Sequence, residues 1–148
     1  MSHGCARRKP YGFTFIELLV VVAIIAIGSA GVMFALRDAA ATELEREALR
    51  LASLLEAGRA QSRARGQPLR WRAVEGGFRF EGAGDTGLPT QWLSQRVQVR
   101  GTPVLVLGPE PLIGPQSVSI LSLTDPDREI VIQTDGLRPF TVSTQEGA

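Results

Sequence analysis

From Leu18 to Leu36 the chain carries no charged residue, an unbroken run of nineteen. A helix rises ~1.5 Å per residue, so a run of this length covers a bilayer core of ~30 Å. The segment is therefore a membrane anchor or a signal, and whatever soluble domain the chain has must follow it. Composition agrees with that division. The apolar fraction of 44% is ordinary for a globular protein, but it is concentrated here, and the remainder of the 148 residues is polar enough for water.

Charge is just as uneven. Arg7, Arg8 and Lys9 precede the apolar run with no acid beside them. By the positive-inside rule they place the N-terminus in the cytoplasm and everything after Leu36 on the other side. Without the first twelve residues the net charge would move from +1 to −2. A slightly acidic remainder argues against a nucleic-acid partner, which needs a clustered basic surface. The only histidine is His3 and the only cysteine is Cys5. Processing beyond residue 12 would leave neither, which removes disulfides, thiol nucleophiles, Ser-His-Asp triads and ordinary zinc sites together. No enzyme, cofactor or metal site is expected.

Three readings fit the N-terminus: a plain anchor, a secretory signal peptide cut near Gly28-Ser29-Ala30, and a third that accounts for Glu17. A carboxylate at the head of an apolar core disfavours insertion and has no task in the first two. The segment Gly12-Phe13-Thr14-Phe15-Ile16-Glu17-Leu18 resembles the class III signal of prepilins and pseudopilins, with Phe15 where an aliphatic residue is usual. The resemblance implies that a membrane-embedded prepilin peptidase cuts between Gly12 and Phe13, that Phe13 is N-methylated, and that the apolar helix is kept. It also implies that Glu17 meets the new amine of a neighbouring subunit and sets helix register. The physics is compatible. An isolated charge at this depth costs at least ~2.5 kcal/mol, and a pair costs less. Glu17 lies one helical turn from Phe13. Snorkelling of Glu17 to the interface, or pairing with its own terminus, stays open.

No proline occurs between Pro10 and Pro68, so Phe13 to Arg65 can form one helix, with Gly28 and Gly31 as weak points. Beyond Leu36 it turns amphipathic. Leu44, Ala48, Leu51, Leu55 and Gly58 recur at helical period, a stripe expected to face a sheet, with Glu43, Arg46, Glu47, Arg50, Glu56 and Arg59 mostly elsewhere. Gly66 and Pro68 stop the helix. From Leu69 on, short alternating runs are separated by turn residues. Leu69–Ala73 and Phe78–Phe80 suggest a hairpin, Gly82–Gln91 a loop, Arg96–Arg100 and Val118–Leu123 alternating strands, and Val104–Leu107 a buried strand. Ile130–Ile132 is joined to Leu137–Val142 through Asp135-Gly136, a two-residue hairpin signal, with Pro139 suggesting an edge. Six to eight strands behind one long helix make an α+β fold, with an antiparallel sheet or a two-sheet sandwich. The spacing of Asp125, Asp127, Glu129 and Asp135 lacks the glycine and distal glutamate of a calcium loop and reads as turns. Arg70, Arg72, Arg79, Arg96 and Arg100 read as one solvated face, and Trp71 and Trp92 as core.

Gly66-Gln67-Pro68-Leu69, the Trp71 strand, the Leu105–Pro111 run and Thr134-Asp135-Gly136-Leu137-Arg138-Pro139-Phe140 resemble, less specifically, the H-type minor pseudopilins of type II secretion systems. That resemblance implies a pilin-like fold and a bacterial inner-membrane subunit with a periplasmic domain. It implies assembly with major and minor pseudopilins on an inner-membrane platform, into a fibre that aids export of folded proteins. The divisions expected are a leader at 1–12, a transmembrane segment at 13–36, an amphipathic periplasmic helix at 37–66 and a β domain at 67–148. A minor pilin of a type IV pilus shares the signal and the design. A secreted binding domain would follow from the signal-peptide reading.

Overall fold

The computed structural model describes residues 13–82 and 84–146. Gly12 and the leader lie outside the described residues. The chain divides into two compact units, 1–36 and 37–148. Helix α1 spans Phe15–Arg65. In the first unit its apolar side chains are exposed throughout, and by length and composition alone it suffices to cross a membrane.

Within the second unit α1 buries Leu44, Ala48, Leu51, Ala52, Leu55 and Gly58, the expected stripe. A fully buried leucine contributes ~1.5–3 kcal/mol relative to an exposed one, so this face anchors the helix. Gly58 is the point of closest approach. A Cβ there would stand 2.8 Å from Leu107 Cδ1 and 3.2 Å from Phe80 Cε1. The helix closes in a Schellman motif. Gly66, at φ 63°, donates to the Arg63 carbonyl at 3.3 Å, and Gln67 donates to that of Ser62 at 3.2 Å. Two charged residues expected among those mostly off this face are buried instead: Glu47 is 2% and Arg59 3% exposed.

Among the described residues seven strands follow, all paired antiparallel: β1 (Arg70–Val74), β2 (Gly77–Glu81), β3 (Val97–Val99), β4 (Val104–Val106), β5 (Gln116–Ser122), β6 (Arg128–Thr134) and β7 (Thr141–Glu146). They form two sheets, ordered β2-β1-β4 and β3-β5-β6-β7, which decides for the two-sheet alternative. One core cluster joins α1 to both sheets through Leu69, Trp71, Phe78, Leu105, Leu107, Val118, Ile120, Ile130 and Ile132. Phe78 centres its aromatic part, with ring centroids 4.8 Å from Trp92 and 5.8 Å from Trp71.

Two expectations are corrected. Val104–Leu107 is not buried on both faces: Leu105 and Leu107 are buried, while Val104 and Val106 are exposed, because only one face of this sheet packs on the core and successive side chains point to opposite faces. β4 is also an edge strand. Its outer edge is capped by the carboxamide of Gln116, which accepts from Val106 N at 2.6 Å and donates to Val106 O at 2.9 Å. The Asp135-Gly136 pair is not a two-residue hairpin turn, since β6 ends at Thr134 and β7 begins at Thr141. The Asp135 carboxylate accepts from Leu137 N at 2.9 Å and Arg138 N at 2.7 Å, which holds a longer loop in place of a tight turn.

Candidate functional site

The candidate residues of the signal cluster at the start of α1. Phe13 and Thr14 precede its first residue, Phe15. Thr14 is the N-cap. Its Oγ1 accepts from Glu17 N at 3.3 Å, and its carbonyl accepts from Glu17 N at 3.1 Å and Leu18 N at 3.2 Å. The Thr14-x-x-Glu17 spacing is the sequence form of a capping box. Only its first half is made: among the described residues the Glu17 carboxylate does not return a bond to Thr14 N, which leaves it for the assembly role expected of it. An acid in the first turn also sits favourably at the positive end of the helix dipole.

Phe13 is 81% exposed and Glu17 is exposed as well. Among the described residues, no cation or donor reaches the Glu17 carboxylate. The structure thus brings Phe13, Thr14 and Glu17 to one helix end. It leaves the carboxylate open to a partner from another chain, and Gly12 lies outside the described residues. Chemically, such an end can hold a positive charge by ion pairing at the mouth of an apolar helix.

In the second unit an open groove of about 610 Å³ is lined by Asp38, Glu43, Arg46, Glu47, Leu93 and Arg96 among others. Two of its three carboxylates have structural partners. Glu47 Oε1 accepts from the backbone N–H of Leu93 at 2.5 Å and of Ser94 at 3.1 Å, and its Oε2 lies 3.4 Å from Arg50. Glu43 lies 3.5 Å from Arg96. Sequence patterning missed Glu47, because nothing local tells a buried acceptor from a solvated glutamate.

The acids weighed for calcium do not converge. Glu129 pairs with Arg100 at 2.8 Å, and Asp135 is held by its own loop. Among the described residues no group of three or more His, Cys, Asp or Glu is placed to hold a metal. Asp135 has its acidity raised. The backbone N–H groups of Arg138 and Leu137, then the Arg138 charge, hold its carboxyl below the ordinary value of 3.8.

No curated protein and no solved structure matches the chain. Residues 7–33 match the family described as the prokaryotic N-terminal methylation motif. That motif, at the head of an exposed apolar helix and in front of an α+β domain, supports a pilin-like protein.

Proposed function

We propose that the chain is a structural subunit of a pilin-like fibre, and within that class an H-type minor pseudopilin of a type II secretion system. On this reading residues 1–12 are a cytoplasmic leader, and prepilin peptidase cuts between Gly12 and Phe13. The new amine of Phe13 is methylated. Residues 13–36 hold the subunit in the inner membrane, 37–66 continue as the amphipathic helix, and 67–148 form the periplasmic domain. The observation that carries the pilin-like reading is the methylation motif over residues 7–33, which includes the exposed apolar start of α1; the H-type assignment within that class rests on the resemblance at residues 66–69, 105–111 and 134–140.

Glu17 supplies the mechanism. Its carboxylate has no partner among the described residues, and a lone charge in lipid costs at least ~2.5 kcal/mol. The amine that cleavage creates on a neighbouring Phe13 removes that cost only when two helices come into register. Pairing thus favours the assembled state over the isolated subunit. Partners are the other pseudopilins and the inner-membrane assembly platform, and the work is structural rather than catalytic.

The test is a deletion strain complemented with the wild-type chain or with Glu17→Gln, scored for export of folded proteins and for twitching motility. The secretion reading expects an export defect that wild type restores. Glu17→Gln should restore it at least about tenfold less well, the factor that ~1.4 kcal/mol corresponds to. A strain that loses twitching and keeps export makes the chain a minor pilin of a type IV pilus, which has the same signal and design. Full rescue by Glu17→Gln contradicts the pairing mechanism.

A further inference from the structure

The chain has no asparagine, and Asp135-Gly136 is its one Asp-Gly pair. Among aspartyl bonds this pair is the most prone to close on itself, because glycine has no side chain to block attack of its own nitrogen on the preceding carboxyl. No other residue fits the position. Gly136 is buried at φ 91°, and a Cβ on it would overlap the carbonyl oxygen of Ile113. The path of the loop between β6 and β7 therefore demands a glycine behind Asp135, and the reactive pair comes with it.

Both reacting groups are held by something else. The Gly136 nitrogen is the nucleophile, and its N–H donates to Thr134 Oγ1 at 3.0 Å in a buried bond. The Asp135 carboxyl carbon is the target. Its Oδ1 accepts from Leu137 N at 2.9 Å and Arg138 N at 2.7 Å, and the same bonds keep the carboxyl ionised, the form with no hydroxyl to lose. The following peptides are fixed from α1. Arg59, 3% exposed, donates through Nη2 to Gly136 O at 3.3 Å and through Nη1 to Arg138 O at 3.2 Å. Thr134 Oγ1 in turn donates to Arg138 O at 2.7 Å.

We propose that the β6–β7 loop is a cage that stops Asp135-Gly136 from closing to a succinimide, and that this bond is the chain's site of isoaspartate formation whenever the cage opens. In that step Gly136 N bonds to Asp135 Cγ, and the amide proton leaves with the carboxyl hydroxyl as water. Water then reopens the cyclic imide. Breaking the new N–Cγ bond restores aspartate. Breaking the bond from the nitrogen to the Asp135 main-chain carbon gives isoaspartate, with Cβ in the backbone. Only water leaves and enters. The extra CH2 falls between Thr134 and Gly136, so their hydrogen bond does not re-form and the lesion keeps the loop open. The inference stands on the loop alone and does not need the fibre reading.

A hydrogen bond to an ionised group is worth about tenfold or more in an equilibrium, so two of them should slow closure roughly a hundredfold. The test incubates the full chain in detergent, and the same chain unfolded in guanidinium chloride, at neutral pH and below the melting temperature. Peptide mapping with isoaspartyl methyltransferase labelling counts isoaspartate at residue 135. The folded chain should gain it roughly a hundredfold more slowly than the unfolded one. Thr134→Val, which loses the hydroxyl, should raise the folded rate roughly tenfold, and Thr134→Ser should match wild type. Amide exchange at Ile130 and Ile132 of β6 should be unchanged in Thr134→Val, which separates loop opening from unfolding of the domain. The proposal is overturned by equal rates in the folded and unfolded chains. It is also overturned by a Thr134→Val rate equal to wild type, or by a rise matched by faster exchange at Ile130 and Ile132. Should Thr134→Val not fold, the two wild-type rates decide alone.

Discussion

Single residues in this protein do work that their type does not announce. Glu47 looks like one more charge on a helix, yet it terminates two backbone N–H groups of the 93–94 segment. Glu47→Leu should cost about 2 kcal/mol, because one buried donor and one half-buried donor lose their acceptor. Glu47→Gln, which can still accept both, should cost less than half of that. Thermal melting of the purified full chain in detergent measures both. Asp135 gives a pH signature with a definite sign. Its carboxyl is more acidic in the folded loop than in a free chain, so its contribution is fully present above the ordinary value of 3.8 and is lost as pH falls through the lowered folded value. Amide exchange at Leu137 and Arg138 should therefore speed up, beyond its intrinsic pH dependence, below that range in wild type. In Asp135→Asn that extra pH dependence should disappear. The sequence made the apolar stripe and the signal glutamate legible, because both rest on spacing alone. The burial of Glu47 and Arg59 was not legible. Beyond an ion pair three residues away, each bonds backbone groups 46 to 79 residues away in the chain, and local periodicity treats every charge as solvated.

Elements show the same division. The 3.6-residue stripe of α1 and the alternation in β1, β3 and β5 follow directly from the sequence. The length of the β6–β7 connection does not, because Asp135-Gly136 satisfies a hairpin rule that side-chain capping and Arg59 override. How closely α1 approaches the sheet is set by Gly58. Gly58→Leu should destabilise the domain by ~1–3 kcal/mol through overpacking against Leu107 and Phe80, as seen in a lowered melting temperature. The edge of β4 is protected by one carboxamide. Gln116→Leu should cost about 1 kcal/mol through two lost hydrogen bonds. It should also raise aggregation, because the edge then offers an unpaired N–H and C=O to another strand. Light scattering during slow heating reads that second effect, and scattering indistinguishable from wild type would mean that the edge is covered by something other than Gln116.

At the scale of the whole molecule, one chain joins a helix start whose apolar side chains are exposed to a domain with a core of its own. An N-terminal methylation motif at that helix start connects the two. It implies processing by prepilin peptidase and pilin-like assembly. The measurement that bears on this most directly is the intact mass of the protein extracted from membranes. The account predicts a chain that begins at Phe13, heavier by one methyl group and lacking residues 1–12. A mass that retains the leader, or one that begins near Gly31, would contradict it.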